Sequence, residues 1–176
     1  DPTNERSAFY LAESYFNLGD FTNARIWSER RAQMGGWEEE KFYALCQVAR
    51  SMFSLGEPWP EVLDAYLRAW EFRPTRAEPL HAVAAEYRAR GAYQLGHLFA
   101  QRAAAIPLPE DDILFVDASV YRWRALDEQS EHPAGVALQP AAHRLQRAGC
   151  RRHDRGLWHR ARARRAGLRE RTGRRH

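Results

Sequence analysis

Cysteine is nearly absent: Cys46 and Cys150 are the only two in 176 residues, too few and too far apart for a disulfide framework or a paired-cysteine zinc motif. A reducing compartment is therefore expected. Also missing is any apolar run near the ~18 residues that a membrane-spanning helix requires. The opening Asp1-Pro2-Thr3-Asn4-Glu5 has none of the basic and apolar character of a secretory signal. These absences lead us to expect a cytoplasmic protein without membrane contact. There is no initiating methionine, so the chain reads as an excised segment of something longer. No serine or cysteine has a recognisable histidine and acid partner, and no glycine-rich phosphate loop occurs. We expect no catalytic residue, no metal and no cofactor in this chain.

Charge is unevenly spread. Residues 1–132 carry 14 Lys plus Arg against 21 Asp plus Glu, a net of −7, whereas residues 133–176 carry 13 against 2, a net of +11. Whole-chain basicity is thus an average over two unlike regions, and it is no argument for nucleic acid. The last 44 residues hold 13 Arg with no Lys, Tyr or Phe and one Trp, Trp158, a composition that buries almost no core and is expected to be disordered alone. One reading is a basic arm for nucleic acid or acidic lipid. The preferred reading is a reading frame shifted near residue 129 of an Arg-rich gene, so nucleic acid is not an expected partner. Two regions follow: a helical domain over 1–128 and an Arg-rich, disordered or frame-shifted tail over 129–176.

What is present is a repeat. Gly19, Gly56 and Gly91 lie 37 and 35 residues apart, and each closes an apolar-periodic run with a small residue seven positions upstream, at Ala12, Ala49 and Ala84. A small residue lets two helices approach closely, and a glycine permits the left-handed turn that ends the first of them. The spacing predicts helices near Arg6–Leu18 and Phe21–Met34. Leu11, Ala12 and Tyr15 mark one face and Phe21, Ala24 and Ser28 the facing one. Gly35-Gly36 stops this unit, and Trp37 with Glu38, Glu39 and Glu40 opens the next, acids at the positive helix end. The second unit places Leu45, Val48, Ala49 and Met52 before Gly56, then Val62, Tyr66, Ala69 and Phe72 after Pro58-Trp59-Pro60, with Pro60 in a first turn. A third unit runs through Leu80, Val83, Ala84, Tyr87, Gly91, Tyr93, Gly96 and Ala103 to Pro107 and Pro109. A fourth opens at Asp117-Ala118-Ser119 and continues through Val120, Tyr121, Trp123 and Leu126. Its pattern collapses after Glu128, which would leave that last helix poorly covered and prone to self-association. The expected fold is all-α, about three and a half stacked antiparallel hairpins.

The order small residue, Tyr, Gly, Tyr or Phe, Ala resembles the tetratricopeptide repeat. Ala84, Tyr87, Gly91, Tyr93, Ala103 and Ala12, Tyr15, Gly19, Phe21, Ala24 carry the likeness. Arg31 departs from it, standing where a small residue is usual; so does Met52, in place of a tyrosine. Longer stretches narrow the resemblance. Asp1-Pro2-Thr3-Asn4, Phe9-Tyr10-Leu11-Ala12-Glu13-Ser14-Tyr15, Glu29 to Glu40, Gly56-Glu57-Pro58-Trp59-Pro60, Phe72-Arg73-Pro74-Thr75-Arg76-Ala77-Glu78-Pro79 and Leu114-Phe115-Val116-Asp117 together resemble the repeat region following the catalytic domain in some bacterial family 2 glycosyltransferases. The likeness covers about residues 1–128. It implies a parent enzyme moving a sugar from a nucleotide-sugar donor, with this part as a helical appendage; the donor-binding α/β domain and its Asp-x-Asp are not in this chain.

Few constellations suggest chemistry. Glu110-Asp111-Asp112 offers hard oxygen ligands for a divalent cation, but after Pro107 and Pro109 it reads more simply as a solvated loop capping the next helix. Cys150, His153 and His159 lack a fourth ligand and a fold around them. His81 and His97 read as packing or surface histidines. A surface remains. In stacked hairpins the first helices line the inner face, here Phe9, Glu13, Phe16, Asn17, Tyr43, Arg50, Phe53, His81 and Arg88. Arg50 and Arg88 among aromatic rings suit a carboxylate-bearing peptide or acidic segment. The alternative is that the rings pack between repeats and the arginines pair with Glu13 or Glu86. The expected role is non-catalytic binding of a protein or peptide, or homo-oligomerisation. The rival expectation is a fragment of a glycosyltransferase whose catalytic domain lies outside this chain.

Overall fold

Helix ends along this chain are written locally. Asn4 accepts a hydrogen bond from the Ser7 N–H at 3.0 Å and starts α1, Glu5–Leu18, which ends on Gly19 at φ +79°. Asp20 then caps α2, Phe21–Gln33, taking the Asn23 N–H at 3.1 Å. In this computed structural model, which describes residues 4–125, α3 spans Glu38–Leu55, α4 Trp59–Phe72, α5 Glu78–Ala89 and α6 Tyr93–Ala104. A π-helical turn follows at Val120–Arg124. The described residues all belong to one compact unit, Asp1–Leu138; Gln139–His176 lie outside them.

Gly19 and Gly56 (φ +83°) carry the hairpin turns because each sits in the left-handed region, where its N–H reaches back to the last carbonyls of the helix it closes. Pro60 stands in the first turn of α4, where its missing N–H is not needed. Six long helices therefore alternate in direction, each packed on the next, and α1 also touches α3. Among the described residues the architecture is all-helical, as the periodicity predicts, and the neighbour-on-neighbour packing is consistent with an α-solenoid.

The core is serial. Phe42, Cys46 and Ala69 form one cluster, Ala49, Met52, Val62, Tyr66 and Val83 a second, and Ala77, Leu80, Ala103, Ile106, Val120 and Ala125 a third. Alanines at 12, 24, 49, 69, 84, 100 and 103 are buried, which keeps the helix axes close. In α1 the buried residues are Ala8, Phe9 and Ala12, whereas Leu11 is exposed and Tyr15 half-buried. The buried face of α1 is thus rotated from the expected one: among the described residues α1 packs on α2 and α3, and Phe9 also meets Phe115. Phe72 also lies outside the core, exposed under the Lys41 ammonium.

The fourth unit begins as expected, with Asp117 accepting from the N–H and hydroxyl of Ser119. It is anchored to the third hairpin: Val120 and Ala125 are buried there, and the Tyr121 hydroxyl donates to Glu78 at 2.7 Å and accepts the Ala77 N–H at 3.0 Å. The Trp123 side chain, Leu126 and the whole tail, with Cys150, His153, Trp158 and His159, lie outside the described residues.

Candidate functional site: the inner face of the helix pairs

The residues expected to line the inner face divide into three groups. Phe9, Glu13, Tyr43 and Arg50 come together along α1 and α3. The Phe9 and Tyr43 rings are 5.8 Å apart, and the Arg50 guanidinium lies over Tyr43 at 5.5 Å. Glu13 accepts from the buried Gln47 amide at 2.7 Å and is hydrogen-bonded with Tyr43, and Glu86 accepts from Arg90 at 2.9 Å. Among the described residues no carboxylate forms an ion pair with Arg50. Its neighbours are phenols and a thiol: Tyr43, Tyr66 and Cys46.

The electrostatics of this corner follow from burial. Desolvation pushes the Tyr43 and Tyr66 hydroxyls up to about 12, against the opposing pull of Arg50. The Cys46 thiol is raised to about 12 for the same reason, which makes it an inert packing residue. Both phenols thus stay neutral donors beside a permanent cation. The Tyr43 hydroxyl is hydrogen-bonded to Glu13 and to Arg50, so the corner is a small polar network around a permanent cation.

His81 and Arg88 form a second group on α5, with Arg124 and Asp117 close enough to act on His81. His81 is 6 % exposed. Burial, then the Arg124 charge, lowers its pKa from 6.5 to about 3. Because the folded value lies below the unfolded one, the stability that neutral His81 contributes is complete above pH 6.5 and is lost as the pH falls toward 3. Each pH unit in that window costs up to about 1.4 kcal/mol. Urea titrations of His81→Gln should therefore show a flatter acid limb between pH 6.5 and 4 than the parent chain; equal slopes would refute the assignment.

The remaining three stand apart. Phe16 packs edge-on against Phe21 at 5.3 Å, inside the first hairpin, and Phe53 packs into the second core cluster. Asn17 is exposed at the end of α1. His97 is half-buried on α6.

Phe9, expected as a lining residue, is only 4 % exposed because Phe115 stacks over it at 6.3 Å, with Tyr43 4.8 Å from the same ring. Phe115 arrives on a segment whose polar anchors the sequence reading missed. Asp112, expected in a solvated loop, is buried in a fork formed by Arg73 and Arg76, and the Arg73 hydrogen bonds hold its carboxyl below the usual range. Glu110 and Asp111 do remain exposed. Glu39, expected simply as an acid at a helix start, accepts the Ile113 and Leu114 N–H groups at 2.8 and 2.7 Å. Arg76 also donates to Glu78 at 2.8 Å and to the Phe115 carbonyl at 3.2 Å, and it covers the Phe42 ring at 4.7 Å. Its partner in chemistry is Arg31, fully buried, which donates to Glu40 at 3.0 Å and to the Gly35 and Trp37 carbonyls. Two arginines in stretches of helix ends were the only local signal for either network.

Among the described residues no helix is long and apolar enough to cross a membrane. A comparison with protein-family models gives no match for this chain, and a search of the curated proteins finds none either.

Proposed function

We propose that residues 1–128 are a TPR-like interaction module that holds a carboxylate-bearing protein or peptide segment on its inner face and performs no catalysis. The observation that carries this reading is Arg50: a partly buried cation over Tyr43, with the Tyr66 phenol near and no acidic partner among the described residues. A structural arginine in such a place is normally matched by a carboxylate, as Arg31 and Arg76 are. The resemblance of residues 1–128 to the repeat region of bacterial family 2 glycosyltransferases supports a role beside such an enzyme. The module would present an acceptor protein or hold subunits together, and the sugar transfer itself would take place outside these residues.

Arg50→Gln separates this reading from a packing role. Charge-assisted contacts contribute about 1.5–3 kcal/mol, so affinity for a Glu-terminated peptide, read by fluorescence anisotropy, should fall ~10-fold or more. The melting temperature should fall by only a few degrees, since a cation–π contact worth about 1 kcal/mol and one hydrogen bond to Tyr43 are given up. Unchanged affinity in a folded Arg50→Gln protein would remove the proposal.

A further inference from the structure

The link from α6 to the π-helical turn takes no short corner. It runs back past the start of α5 and the start of α3 and reaches α1. Asp112 sits in the Arg73 and Arg76 fork, Ile113 and Leu114 place consecutive N–H groups on Glu39, and the Leu114 and Phe115 carbonyls accept from Arg76. Phe115 then lies on the shelf made by Phe9 and Tyr43. These are the contacts an extended peptide makes with a receptor: a carboxylate in a guanidinium fork, main-chain N–H groups on an acceptor, and one ring on an aromatic surface.

The segment gains little from apolar burial. Ile113 is 80 % exposed and Phe115 54 %, and Phe115 is held at φ +47°, a left-handed backbone that a bulky residue adopts at a cost. Few buried apolar contacts with a handful of polar anchors mark an element that opens locally before the fold does. Its footprint adjoins the proposed binding corner, because Tyr43 carries Phe115 on its ring and Arg50 as well.

We infer that residues 107–119 are a built-in occupant of the inner face, and that a partner strand with a carboxylate three residues ahead of an aromatic ring takes the same anchors when this segment lifts. The inference rests on the peptide-binding reading above and adds to it the pattern recognised and the element that competes.

The probe is a fluorescent peptide with the sequence of residues 107–118, titrated into the full chain and into its Asp112→Asn, Phe115→Ala double variant. The double variant should bind it at least ~10-fold more tightly than the parent. A peptide carrying the same two changes should bind neither. Equal affinity for both proteins would overturn the competitor while leaving the binding face standing, and no binding to either would overturn both. Hydrogen exchange on the parent chain decides the matter even if the double variant does not fold. The Ile113 and Leu114 amides should exchange at least ~10-fold faster than those of Val83 and Ala84. Exchange of both sets together, at the rate of global unfolding, would make the segment a permanent part of the core and end the proposal.

Discussion

Arg76→Ala should destabilise this protein by about 3–5 kcal/mol, as much as truncating a large side chain of its apolar core. The reason is what the guanidinium leaves behind. Glu78 and Asp112 are both less than a tenth exposed, and Arg76 is paired with each of them while also donating to the Leu114 and Phe115 carbonyls. Asp112 keeps Arg73 and Glu78 keeps the Tyr121 hydroxyl, so the site is depleted and not emptied. Yet two buried carboxylates would then share one cation between them. Arg76→Lys restores the charge without the planar fork and should recover only part of the loss. A pH series adds a second check. The folded pKa of Asp112 lies below its ordinary 3.8, so its contribution is complete above pH 3.8 and is lost as the pH drops through the lowered value. The deficit of Arg76→Ala relative to the parent should therefore narrow below pH 3.8. Chemical denaturation at pH 7 showing a loss under about 1 kcal/mol would contradict the burial argument.

Arg31→Ala should be nearly as costly, again about 3–5 kcal/mol. The direction is informative, because a small residue is what the tetratricopeptide pattern would place here. In this chain Arg31 is fully buried at the end of α2, paired with Glu40 of α3, and it ties down the turn through the Gly35 and Trp37 carbonyls. Gly35 and Trp37 are exposed, so water can replace the arginine at both carbonyls. Glu40 is 5 % exposed and among the described residues has only Arg6 in reserve, at 3.8 Å. The uncompensated charge of Glu40 is thus the main penalty. It follows that Arg31→Met combined with Glu40→Leu should regain most of the stability lost by Arg31→Ala alone, in a melting experiment where the single change costs more than about 10 °C. If the double variant melts as low as the single one, the hydrogen bonds to the turn matter more than the charge.

These two arginines mark the limit of what could be read from the residues in order. The helix ends were legible because their causes lie within a few residues: Asn4 and Asp20 as caps, Gly19 and Gly56 as left-handed stops, Pro60 in a first turn. The stacking was legible because small residues recur with the glycines, and those alanines are buried where helices meet. The site was legible only in part. Tyr43 and Arg50 share a face two helical turns apart, and they do come together. Phe53 and Phe16 have the same spacing signal but face the core and the hairpin partner, since periodicity specifies a stripe and not which neighbour covers it.

The segment that covers Phe9 had no local signature of its own beyond the arginine it meets, Arg76. Its pairings join residues 36 apart, Arg76 to Asp112, and 75 apart, Glu39 to Leu114. A polar contact of that range has no period and no propensity behind it, so an acidic run after two prolines looks like any solvated loop until the chain is folded. The sequence by itself determined where the helices of the first hairpin start and stop, where glycines end helices, and that small residues would let the helices nest, because caps, turns and amphipathic stripes act over one or two turns of chain. Only the tertiary structure decided which charged groups would be taken out of water, which would find partners there, and that Arg50 would be left facing phenols. Desolvation is a property of the surroundings in space, and those surroundings exist only once distant parts of the chain have met.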